Sequence, residues 1–303
     1  MTDTRVLGSM DVTWIHGAHA DDPKIQIHRY DDRTVILRQS KRTSYEAPFL
    51  FLLFGTERAL LLDTGATADP ELFPLRATVD QLLADWLEDH PFDGYELVVA
   101  HTHGHGDHVA ADEQFADRPA TTVVDRDVDA VRAFFGFDDR WPAQTVTFDL
   151  GDRPLEILGS PGHHAASITV HDPATGILFT GDTVLPGRLF VFDVPAYVAT
   201  LDRLVAFAAT RTVTHVLGCH VEMTRRPRRA YPIGATYQPR ERALELTAGH
   251  LTEIRDAVVS LDGRRGIHRF DDFVLCVDPR QRDLYRLMAR GRLRQLRERM
   301  FRR

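Results

Sequence analysis

The chain has 303 residues, 43% of them hydrophobic and 27% charged, which suits a globular protein with one sizeable core, with or without an appendage. A formal net charge of -7 argues against a nucleic-acid binder, and two cysteines, Cys219 and Cys276, are too few for a disulfide framework or a cysteine-built zinc site. The opening MTDTRVLGSMDVTWIHG lacks a basic start followed by an apolar run, and no segment is apolar for long enough to span a bilayer, so a cytoplasmic protein without a signal peptide or membrane contact is expected. Lys24 and Lys41 are the only lysines, so arginine clusters carry little special meaning.

Strand-like runs open the chain at 24–30 and 33–40, across an Asp-Asp turn. PFLFLLFG (48–55) and ALLLDTG (59–65) follow, nearly continuous in apolar residues, as strands covered on both faces should be. Val79, Leu82, Leu83, Trp86 and Leu87 fall at helical spacing. ELVVA (96–100) reads as a short buried strand. Further strands are expected at 120–124, 144–150, 155–160, 167–172, 176–182 and 213–220, with a helix around 195–208 placing Tyr197, Leu201, Leu204 and Val205 on one face. From 240 onward the pattern is mostly helical, broken at LDGRRGIHRFDD. Two strand-rich halves separated by helices predict an α/β protein, an αββα sandwich over residues 1–239 with a helical extension over 240–303 packed on it.

Just past the strand at 96–100 stands HTHGHGDH, with four histidines and an aspartate in eight positions. Metal ligands must present lone pairs that converge, and His with Asp suits a borderline ion such as zinc. Only one register supplies H-x-H-x-D-H: His103, His105, Asp107 and His108. A register beginning at His101 needs an acid at 105, where histidine stands, so His101 belongs behind the site or at its rim. Gly104 and Gly106 let the backbone turn tightly between ligands. Three more ligand types sit where strands emerge: His163 in SPGHH, Asp182 in LFTGD and His220 in VLGCH. No G-x-S-x-G nucleophile motif is present.

Together HTHGHGDH, PGH, TGD and a strand-terminal histidine, preceded by LLLDTG, resemble the metallo-β-lactamase superfamily over roughly residues 30–225. The resemblance implies one divalent metal on His103, His105 and His163 and another on Asp107, His108 and His220, bridged by Asp182. It implies that Asp63 orients a ligand from behind. It further implies a dinuclear hydrolase, with zinc the expected ion and manganese or iron the alternatives. A hydroxide bridging the two metals would attack the acyl carbon of a thioester, ester or lactone, with Asp107 or Asp182 at the reacting atoms. Asp182 stands where related β-lactamases commonly carry cysteine, which disfavours a β-lactam substrate. A mononuclear iron persulfide dioxygenase on the same fold, or a β-lactam hydrolase, is the alternative reading. His164 and Cys219 depart from the usual pattern.

The expected partner is a small molecule. Its pocket is sought in AFFGFDDRWP (133–142), in Tyr231 and Tyr237 after the last histidine, in Tyr45 with Lys41 and Arg42, and at His164. Near the C-terminus Tyr285, Ala289, Leu293, Leu296 and Met300 recur at helical spacing among arginines. That stripe is expected to pack on the core or on a second copy in a homodimer.

Overall fold

Residues 8–17 and 21–301 are described in a computed structural model of the chain. β1 (Ile25–Asp31), β2 (Thr34–Gln39), β3 (Phe49–Phe54) and β4 (Arg58–Leu62) run as an antiparallel meander. α1 (Leu75–Asp89) crosses to β5 (Glu96–Ala100), parallel to β4. The short α2 (Gly106–Val109) and a 3-10 turn lead to β6 (Thr121–Val123), parallel to β5. After α3 (Val128–Phe135) comes a second meander, β7 (Thr145–Asp149), β8 (Pro154–Gly159), β9 (Ile168–Asp172) and β10 (Ile177–Gly181). β11 (Arg188–Val191) leaves that sheet. α4 (Val194–Ala208) crosses to β12 (His215–Gly218), parallel to β10, and β13 (Glu245–Leu246) pairs with β12. α5 (Ala248–Ser260), β14 (Gly266–Arg269), β15 (Val274–Val277) and α6 (Gln281–Phe301) complete the chain, with β11, β15 and β14 forming a small third sheet.

The two six-stranded sheets face each other as the inner layers of an αββα sandwich. The apolar runs now have their reason. In β3, Phe49, Phe51 and Leu53 fill the space between the sheets, while Leu50, Leu52 and Phe54 lie in the layer with α1. In β10, Ile177 and Phe179 face inward and Leu178 meets the layer of α4 and α5. Among the described residues no helix is long and apolar enough to cross a membrane.

One expectation is corrected and two are narrowed. Residues 133–142 are not an open aromatic loop: Phe134 and Phe135 end α3, which Asp127 caps through the Asp129 and Ala130 amides, and Phe135 and Phe137 are buried between the sheets. The segment after 240 also carries strands, which extend both the second and the third sheet. Of the two packings expected for the C-terminal stripe, the described part does not take the one on the core, since it faces outward: Tyr285 is 61% and Leu293 62% exposed, and Ala289 is exposed too. α6 instead buries the side with Leu287 and Gly291, where the glycine brings the helix backbone against the carbonyl of Ile233. The side chains of Leu296 and Met300 lie outside the described residues.

Candidate metal centre

Every residue read as a ligand lies just beyond the C-terminal end of a strand. His103 and His105 sit in the extended loop after β5, and α2 turns Asp107 and His108 toward the same point. His163 follows β8, Asp182 follows β10 and His220 follows β12. Buried strands fix these exits, so four loops meet at one edge of the sandwich. Gly181, at a positive φ of 54°, lets the end of β10 approach Thr102; a Cβ there would stand 2.6 Å from the threonine side chain.

Two ligand sets form. The His103 Nε2, His105 Nδ1 and His163 Nε2 atoms stand 3.0–3.2 Å from one another. Three nitrogens bound tetrahedrally to one zinc ion at its usual bond length stand about 3.3 Å apart, so the set fits a shared ion. Burial, reinforced by the neighbouring histidines, pushes His103 well below the ordinary imidazole range and His105 down to about 4, which keeps their lone pairs free of protons. In the second set Asp107 Oδ2 lies 3.3 Å from His220 Nε2 and 3.7 Å from His108 Nε2. Asp182 sits between the sets: Oδ1 is 3.6 Å from both His108 Nε2 and His220 Nε2, and Oδ2 is 3.9 Å from His163 Nε2. His108 Nε2, His220 Nε2 and Asp182 Oδ1 are buried without a hydrogen-bond partner. Three orphaned polar atoms aimed at one point are what a cation would satisfy.

The electrostatics match. Burial opposes charge on all four residues of the second group, yet their mutual attraction wins. Asp182 is brought down to about 2 by His220 and His108, and His220 is pushed up to about 9 by Asp182 and Asp107. Asp107 is likewise held low by the neighbouring His220 and His108, and His108 is held high by Asp63 and Asp182. Behind the ligands, His108 Nδ1 donates to Asp63 Oδ2 at 2.9 Å and His163 Nδ1 donates to the Phe190 carbonyl at 2.8 Å. Both contacts turn Nε2 into the acceptor that faces the site. Asp63 also accepts from the Thr102 amide, the Thr102 hydroxyl and the Cys219 thiol. His101 turns away and meets Asp112 at 2.8 Å.

Comparison with known proteins decides the family. Residues 47–215, more than half of the chain, match the metallo-beta-lactamase superfamily. The chain belongs to this superfamily. A hydroxyacylglutathione hydrolase of Rhizobium meliloti (strain 1021) is 30% identical over 147 residues, 47% of this chain and 54% of that protein. The acyl-coenzyme A thioesterase MBLAC2 of Gallus gallus is 28% identical over 208 residues, 57% of this chain and 72% of that protein. The chain spans about half the length of the curated hydroxyacylglutathione hydrolases it matches. A metallo beta lactamase from Erythrobacter litoralis shares the fold, with a TM-score of 0.55 at 16% identity, over 78% of this chain and 97% of that one.

Superfamily membership leaves the substrate open, so the cavity over the ligands carries that information. Its volume is about 240 Å³, and its wall includes His105, Asp107, His163, Asp182 and His220 together with Glu46, Leu185, Arg188, Phe190, Phe192, Glu222 and Leu284. Most of the expected pocket residues lie elsewhere. The Tyr231 hydroxyl accepts from the Arg240 amide, and the Tyr237 ring stands edge-on to His16. His164 packs beside His103 and His105, and its Nδ1 accepts from the Ala166 amide. Lys41 is buried and donates to the Tyr45 carbonyl, while Arg42 donates to the Asp22 carbonyl. Tyr45 is not itself in the wall but hydrogen-bonds to Glu46, which is; burial raises the Glu46 carboxyl. Sequence reasoning missed Phe190, Phe192 and Leu284. The alternation in RLFVFD was the available signal for the two aromatics.

Proposed function

We propose that this chain is a hydrolase that holds two divalent ions and cleaves an acyl thioester, ester or lactone. The observation that carries the reading is Asp182, whose two carboxylate oxygens face two separate ligand sets beneath one cavity. His103, His105 and His163 would hold one ion, Asp107, His108 and His220 the other, and Asp182 would give an oxygen to each. The donor set suits zinc best, with manganese as the alternative. Bound there, the ions supply hydroxide at neutral pH and polarise the acyl oxygen.

The chain's own residues orient and exclude. Asp63 and the Phe190 carbonyl fix the tautomers of His108 and His163. Asp107, held ionised and more exposed than Asp182, is the proton acceptor beside the attacking water. The apolar wall limits solvent around the acyl group. Water's oxygen joins the acyl carbon, the acyl–sulfur or acyl–oxygen bond breaks, and a carboxylic acid leaves with a thiol or alcohol. Relatives named hydroxyacylglutathione hydrolase and acyl-coenzyme A thioesterase support this class over a β-lactam substrate. The complete second ligand set supports two ions over a single iron.

The test combines elemental analysis with hydrolysis of a panel of thioesters, lactones and β-lactams. Wild type is expected to carry about two divalent ions per chain and to favour thioesters or lactones. Asp182→Ala is expected to lose metal and turnover together; full occupancy with normal turnover rejects the bridge. One iron per chain with oxygen uptake on a persulfide replaces the hydrolase by a dioxygenase.

A further inference from the structure

The cavity has two unlike sides. One is polar: Glu46, Asp107, Asp182 and Glu222 all reach it, Asp107 and Asp182 as ligands of the proposed ions and Glu222 as the partner of Arg188. Arg188 is the one arginine among the described wall residues, and no lysine is among them. Its guanidinium is committed to the Glu222 carboxylate and the Tyr231 carbonyl, and its amide donates to Glu222 at 2.7 Å. Apart from the proposed ions, which take the acyl oxygen, no side chain of the described wall therefore offers a free cation to a carboxylate or phosphate at the far end of the acyl group.

The other side is apolar. Leu185 is buried beneath it. Phe190 and Phe192 project from one face of β11 and its exit, their rings nearly parallel at 12° with centroids 6.2 Å apart. Phe192 lies 5.9 Å from the His163 ring, beside the first ligand set, and is 54% exposed. Leu284 of α6 completes the wall. A large phenylalanine left half in water next to a candidate metal centre has lost burial energy that an apolar ligand would restore. Leu284 lies outside the span matched to the superfamily, so this part of the wall belongs to the chain's own C-terminal segment.

We infer that the acyl group taken by this site is neutral and apolar, a fatty or aryl acyl chain laid along Leu185, Phe190, Phe192 and Leu284. This rests on the hydrolase reading above and adds the chemistry of the acyl part. A short polar hydroxyacyl group gains nothing from the wall, and a dicarboxylic acyl group would have to bring a charge against it.

The experiment measures kcat/KM for acetyl, butyryl, hexanoyl, octanoyl and succinyl thioesters of N-acetylcysteamine with metal-loaded enzyme. In parallel, tryptophan fluorescence or calorimetry measures binding of the matching S-alkyl thioethers, which cannot be hydrolysed. The expected gain is about fourfold per added methylene in both series over the first few carbons, with succinyl far below butyryl. Phe192→Ala and Leu284→Ser should flatten the slope, lowering octanoyl turnover at least tenfold more than acetyl turnover. Phe92→Ala, which removes a comparably exposed ring outside the cavity wall, should leave the slope intact. A flat wild-type slope, or succinyl equal to butyryl, overturns the apolar acyl site while leaving the hydrolase standing. Failure of every ester, thioester and lactone to turn over sinks the hydrolase reading, and the thioether series still decides the wall on its own.

Discussion

Asp63→Asn should weaken one metal site and spare the other. Asp63 is fully buried at a positive φ of 71°, a backbone conformation asparagine tolerates well, so the substitution changes chemistry more than shape. Its Oδ1 accepts from the Thr102 amide at 2.7 Å, and Oδ2 accepts from the Thr102 hydroxyl at 2.8 Å, His108 Nδ1 at 2.9 Å and Cys219 Sγ at 3.1 Å. An asparagine that keeps its oxygen on the Thr102 amide turns an NH₂ group toward three donors. The threonine hydroxyl can rotate, but His108 can accept only by moving its proton to Nε2. That proton then points at Asp107 and Asp182, where the cation should sit. Loss of such a supporting carboxylate typically costs 10–100-fold in metal affinity, or about 1.4–2.8 kcal/mol. The loss should fall on the Asp107–His108–His220 set, because His108 bonds Asp63 directly, whereas the first set meets it only through the Thr102 hydroxyl, 3.3 Å from His103 Nδ1. Competition against a chromophoric chelator, resolved into two binding steps, reads each site separately. Equal weakening of both steps, or of neither, would refute the tautomer argument.

His101→Ala should keep both ions while His103→Ala and His105→Ala lose one, since His101 meets Asp112 and not the site; elemental analysis after gel filtration decides this. Metal affinity should rise with pH by at least a decade per unit below about 9 and level off above, because in the metal-free protein His220 holds a proton that the cation must displace. The sign for folding is opposite: that raised pKa contributes stability to the metal-free protein below about 6.5, and the contribution is lost as pH climbs through about 9. Thermal melts of chelated protein against pH check it. Arg153→Met should cost about 3–5 kcal/mol, read as a lower urea midpoint with unchanged slope, because Asp172 is left buried without its partner 2.7 Å away. In the same variant the sheets lose the arginine's hydrogen bonds to the Arg33 and Phe54 carbonyls and the Thr34 hydroxyl.

What could be read in advance depends on how local the physics is. The central strands announced themselves because they alternate between two buried faces, which forces apolar residues at every position: Phe49 to Phe54 is the plain example. The ligand residues were legible because four of them share six positions, and the others sit in short turns at strand ends. Asp63 could be named, but not the four groups converging on it, since Thr102, His108 and Cys219 come from two other loops. The cavity wall escaped for the same reason. Tyr231 and Tyr237 are close to His220 in sequence, yet their hydroxyl and ring are engaged by Arg240 and His16. Leu284 is 64 residues beyond His220, and only the packing of α6 brings it to the site. That helix also shows why periodicity alone misleads. The spacing of Tyr285, Ala289 and Leu293 marks an apolar face correctly, but which face a helix buries depends on what can approach it. Gly291 permits close contact with Ile233, and that contact turns Leu284 and Leu287 inward and the longer stripe out. The Leu284 part of the cavity wall thus draws on the close approach at Gly291 in the C-terminal segment. The acyl preference inferred here should accordingly be sensitive to any change at Gly291 that shifts α6, even one far from the metal ligands.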